Sequence, residues 1–254
     1  MEQHNNIQNS YGLIGYPIKH SFSKEYFLSK FKYLGIDADF KLYNNIVLQE
    51  IIQNIKEETN LLGFSVTKPF KEQIIQHLDL IDREAFEIGA VNSVKIIKEG
   101  KHIQLKGYNT DTYGFRKSLS PHLTEKHQKA LILGTGGASK AVAYALDKLS
   151  IEYLFVTRTP NDCKHIRYSI LHKDILDQHL VIINTTPLGM FPEVNSFPPI
   201  PYELIGSQHL LFDLIYNPNE TLFLAKGKKQ GAKTVNGLQM LHIQADHSWD
   251  IWNK

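Results

Sequence analysis

The sequence predicts an α/β protein of two domains, the first built on a mixed, mostly parallel sheet and the second doubly wound. Three observations lead there. Strand-like and helix-like segments alternate along the whole chain, the pattern that layers helices on largely parallel sheets. A glycine-rich turn at residues 134–137 joins a short apolar strand to a helix, as the first βα unit of a doubly wound sheet does. More than a hundred residues precede that turn in a chain of 254 with 42% hydrophobic content, which is ample for a packed core and near the size at which cores divide.

Taken in order, residues 11–16 read as a strand, 23–34 as a helix stopped by Gly35, and 39–43 as a second strand. A helix from 47 to about 58, a strand at 62–66, helical segments at 71–78 and 83–88, and strands at 90–97 and 102–106 follow. The turn Lys98-Glu99-Gly100-Lys101 between the last two strands predicts a hairpin, so this sheet is mixed. A helix starting near Asp111 opens the second domain, whose strands fall near 130, 151, 180, 210 and 233. After Asn236-Gly237, residues 238–252 form an amphipathic helix that follows the last strand and packs back onto the first domain. The domains are thus 1–110 and 111–236, with the helix at 237–254 returning to the first.

Composition excludes several classes of partner. With 28 basic and 26 acidic residues the net charge is +2, which gives no reason to expect nucleic acid or a membrane surface. The first ten residues, MEQHNNIQNS, are polar and lack a basic-then-apolar signal pattern, and no apolar run is long enough to span a bilayer. A cytoplasmic protein is expected. Cys163 is the sole cysteine, without nucleophile motif around it, and none of the 12 histidines has helix-face metal spacing, so no metal is expected.

The turn at 134–137 carries the first chemical signal. The run Ala130-Leu131-Ile132-Leu133 suits a strand buried on both faces. Gly134, Gly136 and Gly137 allow positive φ and a bare backbone, and from Ala138 the chain is helical, so unpaired N–H groups and a positive dipole end face whatever lies over the turn. The spacing fits either a nucleotide-phosphate site, with Ser139 where a third Gly or Ala is usual, or an ordinary tight turn. One strand later, Thr157-Arg158-Thr159 puts Arg158 where NAD-binding chains carry an acidic residue for the ribose hydroxyls. A guanidinium there suits the 2′-phosphate of NADP, which a carboxylate would repel; the bland alternative is a surface Arg at a strand end.

The first domain holds polar clusters at strand ends. Gly15-Tyr16-Pro17-Ile18-Lys19-His20-Ser21-Phe22-Ser23 presents the hydroxyls of Ser21 and Ser23, either to a ligand or as a helix cap, which Ser23 alone would satisfy. Gly63-Phe64-Ser65-Val66-Thr67-Lys68-Pro69-Phe70-Lys71 places Thr67 and Lys71 near another strand end, where a Lys is also at home as a solvated helix-start residue. Asn92-Ser93 and Asn109-Thr110-Asp111 add two more clusters, Asp111 being equally explicable as a helix cap.

Together these motifs resemble the shikimate dehydrogenase family over nearly the whole chain. The resemblance rests on GYPIKHSFS (15–23), GFSVTKPFK (63–71), AVNS (90–93), GYNTD (107–111), LGTGGASKA (133–141), TRT (157–159), INTTPLGM (183–190), DLIYNP (213–218) and NGLQMLHIQA (236–245). It implies an N-terminal α/β substrate domain, a Rossmann-like NADP-binding domain, and substrate held in the cleft between them. The implied reaction is NADPH-dependent reduction of 3-dehydroshikimate to shikimate on the route to aromatic amino acids.

Carried over by position, the resemblance makes Lys71 and Asp111 the catalytic pair. Hydride arriving at a ketone carbon leaves negative charge on oxygen, which an ammonium stabilises and protonates; Asp111 would orient Lys71 and hold a substrate hydroxyl. The resemblance further implies that Ser21, Ser23 and Tyr216 bind the substrate carboxylate, and Thr67, Asn92 and Gln244 the ring hydroxyls. Gly134, Gly136, Gly137 and Ala138 would cradle the pyrophosphate, Arg158 the 2′-phosphate, with Thr186, Gly237 and Met240 near the nicotinamide. A small-molecule enzyme acting as a monomer or homodimer is expected.

Four positions depart from the family pattern. Lys24 replaces a Pro after the second serine, Ser65 stands for Asn, Thr157 replaces an Asn before Arg158, and Asp162 stands where a second basic residue is usual. The last two weaken the 2′-phosphate clamp, a lost charge-assisted contact being worth about 1.5 to 3 kcal/mol. NADP is still expected over NAD, with modest discrimination. Two other readings are a dual quinate/shikimate dehydrogenase and a catalytically silent NADP-binding regulator; retention of the serine pair and of the Lys and Asp weighs against them in turn.

Overall fold

A computed structural model describes residues 9–18, 21–100 and 102–254. Lys19 and His20 of the first motif, Lys101 of the hairpin turn, and residues 1–8 of the polar N-terminus lie outside the described residues. The chain forms two compact units, Met1–Thr110 with Ala245–Lys254, and Asp111–Gln244.

The first unit is a six-stranded mixed sheet. Its strands are β1 (Asn9–Gly15), β2 (Ala38–Asn44), β3 (Leu61–Val66), β4 (Leu80–Ile81), β5 (Ser93–Glu99) and β6 (His102–Tyr108), in spatial order β2-β1-β3-β5-β6-β4. β1 pairs in parallel with β2 and β3, whereas β5 runs antiparallel between β3 and β6. The expected hairpin closes with Glu99 opposite His102, and Gly100 at φ +63° supplies the left-handed backbone its two-residue loop demands.

Three helices join that sheet: α1 (Phe22–Leu34), α2 (Leu48–Glu57) and α3 (Arg83–Ile88). α1 ends at Gly35 in the left-handed conformation (φ +66°), bonding back to Lys32 and Phe31 carbonyls. Period-two alternation divides the core between two faces. Ile14, Phe64, Val66 and Leu105 pack with Ile51, Ile52 and Ile55 of α2; Tyr11, Leu13 and Phe40 pack with Phe27 and Phe31 of α1 and with Ala245, Trp249 and Trp252. Gly63 on β3 is needed for the second cluster, since a Cβ there would stand 2.4 Å from the Trp252 ring.

The short strand β4 was not expected, and two expected segments of this unit take another form. Residues 71–78, expected to be helical, form turns and a single 3-10 segment at Gln73–His77. The chain leaves the helical path because Asp79 bonds β6 twice, its N–H to the Leu105 carbonyl (3.0 Å) and its Oδ2 accepting the Leu105 N–H (2.8 Å). The strand expected from residue 90 starts at Ser93. Before it, the Val91 N–H donates to the Lys71 carbonyl (2.7 Å), which ties that residue to a turn instead of to a ladder.

The second unit carries a fully parallel sheet of β7 (Lys129–Leu133), β8 (Glu152–Thr157), β9 (His165–Arg167), β10 (Val181–Asn184), β11 (Leu210–Asp213) and β12 (Lys233–Val235). The spatial order β12-β11-β10-β7-β8-β9 is the doubly wound Rossmann order, reversing between β7 and β10. α4 (Asp111–Leu119), α5 (Gly137–Lys148), α6 (Lys173–Gln178), α7 (Leu222–Lys229) and the start of α8 (Leu238–Trp252) cover it. Ala130 and Ile132 of β7 face one core with Phe115, Phe212 and Met240, while Leu131 and Leu133 face the other with Leu176, Leu211 and Phe223. Each fully buried Leu, Ile or Phe among them contributes about 1.5 to 3 kcal/mol. β9 was not foreseen: three residues reading His-Ile-Arg carry no periodic signal.

Candidate active site

In the first unit, five of the expected substrate and catalytic residues lie along one edge of the sheet. β1, β3 and β6 share a direction, so their carboxyl ends, and the amino end of the antiparallel β5, meet at that edge. Ser21 and Ser23 follow β1, Thr67 and Lys71 follow β3, and Asn92 immediately precedes β5. The loops are tied to one another: the Tyr16 N–H donates to the Lys68 carbonyl (3.1 Å), the Thr67 N–H to the Ile14 carbonyl (2.9 Å), and the Val66 N–H to the Asn92 carbonyl (2.8 Å). Gly15 makes room for this, because a Cβ there would stand 2.4 Å from Thr67 Cγ2.

Ser21, and not Ser23, is the cap of α1. Its Oγ accepts the Ser23 N–H (3.2 Å), leaving Ser23 within the first helical turn. Asn92 is 3% exposed and held by Thr110: its Nδ2 donates to Thr110 Oγ1 (3.0 Å) and its Oδ1 accepts the Thr110 N–H (2.6 Å). Thr110 Oγ1 in turn lies 3.0 Å from Ser248 Oγ of α8. A buried polar chain of this kind fixes its members, since any one left unsatisfied costs free energy. Thr110 belongs to the polar cluster at 109–111 that the sequence marks, whereas nothing local marks Ser248.

In the second unit the expected cofactor residues fall at or just beyond the carboxyl ends of parallel strands, the ligand edge of such sheets. Gly134 ends β7 at φ +102°, a conformation that favours glycine, and a Cβ there would stand 3.0 Å from Thr185 Oγ1 and Thr186 Cγ2. Gly136 is the N-cap of α5, with no side-chain cap, and its Cβ direction is open. Gly137 and Ala138 form the first turn of that helix. Arg158 follows β8 and is exposed.

The loop after β10 is held by a buried carboxylate. Asp213, at the end of β11 and 0% exposed, accepts the Asn184 Nδ2 (3.1 Å), the Ile215 N–H (3.0 Å) and the Thr221 hydroxyl (2.6 Å). Burial pushes its carboxyl up to about 6, with those three donors opposing the rise. Asn184 uses its Oδ1 to accept the N–H (3.0 Å) and hydroxyl (2.7 Å) of Thr186, so Thr186 is positioned at second hand by Asp213. An Asp closing the apolar run Leu-Leu-Phe was a signal available in the sequence, unused there.

α8 begins beside the turn after β11. The Gly237 N–H donates to the Ile215 carbonyl (3.0 Å), and a Cβ on Gly237 would stand 2.1 Å from the Leu214 oxygen. Tyr216 lies in that same turn, its phenol raised by burial. Met240 is buried in the core, and Gln244 Nε2 donates to the Leu241 carbonyl (3.0 Å). Asp111, 8% exposed, starts α4, and Gly114 lies one turn along on the same face. There α8 crosses closely: a Cβ on Gly114 would stand 2.8 Å from the Met240 oxygen and 3.0 Å from Gln244 Cβ.

These residues fit a dinucleotide. A glycine turn at the switch point, an uncapped helix N-terminus, open space at Gly136 and an exposed guanidinium one strand away are the donor set that phosphate groups require. Among the described residues no cluster of His, Cys, Asp and Glu is disposed to hold a metal ion, and no helix is long and apolar enough to cross a membrane.

Comparison with known proteins gives concordant results. The family description "shikimate dehydrogenase substrate binding domain" matches residues 13–94. A shikimate dehydrogenase (NADP(+)) of Caldanaerobacter subterraneus is 38% identical, the match covering 95% of this chain and 90% of that protein. The crystal structure of shikimate dehydrogenase from Aquifex aeolicus superposes with a TM-score of 0.86 at 36% identity, covering 98% of this chain and 94% of that one. The Thermus thermophilus enzyme, crystallised with NADP(H) and shikimate, gives 0.83 at 28% identity, covering 96% and 93%.

Proposed function

This chain belongs to the shikimate dehydrogenase family, and from that premise we propose which residues perform the family's reaction. The protein is an NADP-dependent oxidoreductase that reversibly reduces 3-dehydroshikimate to shikimate, a step in aromatic amino-acid synthesis. NADPH, when bound, supplies the hydride.

The ketone oxygen gains negative charge as its carbon is reduced, and Lys71 is the group that meets this charge and delivers the proton. Asp111 orients the ammonium and accepts from a substrate hydroxyl. Ser21, Ser23 and Tyr216 donate hydroxyls to the substrate carboxylate; Thr67, Asn92 and Gln244 bond the ring hydroxyls. Gly134, Gly136, Gly137 and Ala138 hold the pyrophosphate, Arg158 the 2′-phosphate, and Thr186, Gly237 and Met240 border the nicotinamide. The protein works on small molecules alone, as a monomer or homodimer in the cytoplasm.

The observation that carries this assignment is the gathering of Ser21, Ser23, Thr67, Lys71 and Asn92 along one edge of the first sheet, by loops bonded to each other. Steady-state oxidation of shikimate, with quinate in parallel and with NADP and NAD each supplied, tests it. In the Lys71→Ala variant kcat should fall roughly 10²- to 10⁴-fold with KM little changed. An intact kcat would remove Lys71 from the mechanism.

A further inference from the structure

The loop after β8 lacks a basic residue at position 162, and its Lys164 is turned onto the Tyr153 ring, yet the fold supplies a second cation from elsewhere. β9 pairs in parallel with β8, setting Arg167 opposite Thr157, the residue before Arg158. Arg167 folds over the end of β8, its Nη1 donating to the Arg158 carbonyl (3.2 Å). Both arginines are exposed, and neither forms an ion pair with a carboxylate among the described residues. That one bond engages a single N–H of Arg167, leaving four of the fork's five donors.

The carboxylate nearest in sequence is committed to other partners. Asp162 accepts the Lys164 N–H (2.8 Å) and faces His165 Nδ1, which holds it in the turn that opens β9 and keeps its carboxyl below the usual range. Arg158 and Arg167 thus both sit at the carboxyl end of β8 and its neighbour, and no carboxylate among the described residues pairs with either. Paired forks of this kind match a phosphate dianion in charge and geometry better than any single cation.

We propose that Arg167 is the second arm of the 2′-phosphate clamp, acting from the edge strand in place of the basic residue that Asp162 displaces. The assignment rests on the NADP reading above for the identity of the phosphate's bearer.

The test is calorimetric titration of the full-length protein with adenosine 2′,5′-bisphosphate and, separately, with 5′-AMP. Arg167→Gln should weaken the bisphosphate about tenfold and leave 5′-AMP within about twofold, one charge-assisted contact having that size. Arg167→Lys should recover part of the loss, and the salt dependence of bisphosphate binding should flatten in Arg167→Gln. Steady-state kinetics should show the same selectivity, KM rising for NADP and not for NAD. Equal weakening of both nucleotides in Arg167→Gln would mean a structural role and overturn the proposal, as would an unchanged ratio of their affinities. If wild-type protein fails to oxidise shikimate but binds the bisphosphate through Arg167, the enzymatic reading falls and the clamp stands; active enzyme with an Arg167-independent NADP preference gives the reverse.

Discussion

Replacing Asp213 by Asn should change how stability depends on pH by an amount the structure sets. The carboxyl is fully buried and pushed from an ordinary 3.8 to about 6. Between those values the folded protein keeps a proton that the unfolded chain has released, so stability falls as pH rises through that window and is level above it. Two pH units correspond to about 3 kcal/mol, of which about 2 kcal/mol falls between pH 4.5 and pH 7. An amide does not titrate. Asp213→Asn should therefore gain on wild type by about 2 kcal/mol across that range. The comparison is made by urea unfolding followed by far-UV circular dichroism at matched ionic strength. Taking the difference between the two proteins cancels groups common to both. One of these is His127, whose Nδ1 accepts the Thr124 N–H and whose lowered pKa, caused by burial, makes stability fall with acid, the opposite sign. A difference that is flat with pH, or that favours wild type as pH rises, would refute the assignment of a strained buried charge.

Three further substitutions separate binding from folding. Gly136→Ala adds a methyl that meets nothing within 4 Å, so the melting temperature should hold while KM for NADP rises tenfold or more; a fall in stability with unchanged KM would contradict the open cradle. Ser21→Ala should cost about 1 kcal/mol of stability through loss of the α1 cap as well as raising KM for shikimate, whereas Ser23→Ala should raise KM alone. Equal destabilisation by both serine variants, read by thermal melts, would mean that the capping role is shared.

What could be read in the sequence follows from where its determinants lie. β7, β10 and β11 are runs such as Val-Ile-Ile and Leu-Leu-Phe, apolar on both faces, so their placement needed only local information. The Gly35 stop of α1 and the hairpin at Gly100 were equally local. Residues 71–78 were misread because their helical composition is overruled by Asp79 binding Leu105, a partner distant in sequence. At Ser21 and Ser23 the two hydroxyls have the same chemistry, and only the backbone conformation decides which one caps. β9 and the Asn184–Asp213–Thr221 network draw on strands brought together only by the sheet, so neither leaves a periodic trace.

The indole of Trp252, seated where Gly63 lacks a side chain, bears on the order in which this protein is made. The glycine belongs to a central strand, and its ring partner emerges from the ribosome only after the whole of the second unit has been synthesised. Until then Tyr11, Phe27 and Phe31 have an open face where the tryptophan packs. The unit begun first is therefore finished last, and the nucleotide sheet, contiguous in sequence, has its strands complete before its elder neighbour can close. Domains usually mature in the order of translation; here the tail end of α8 reverses it.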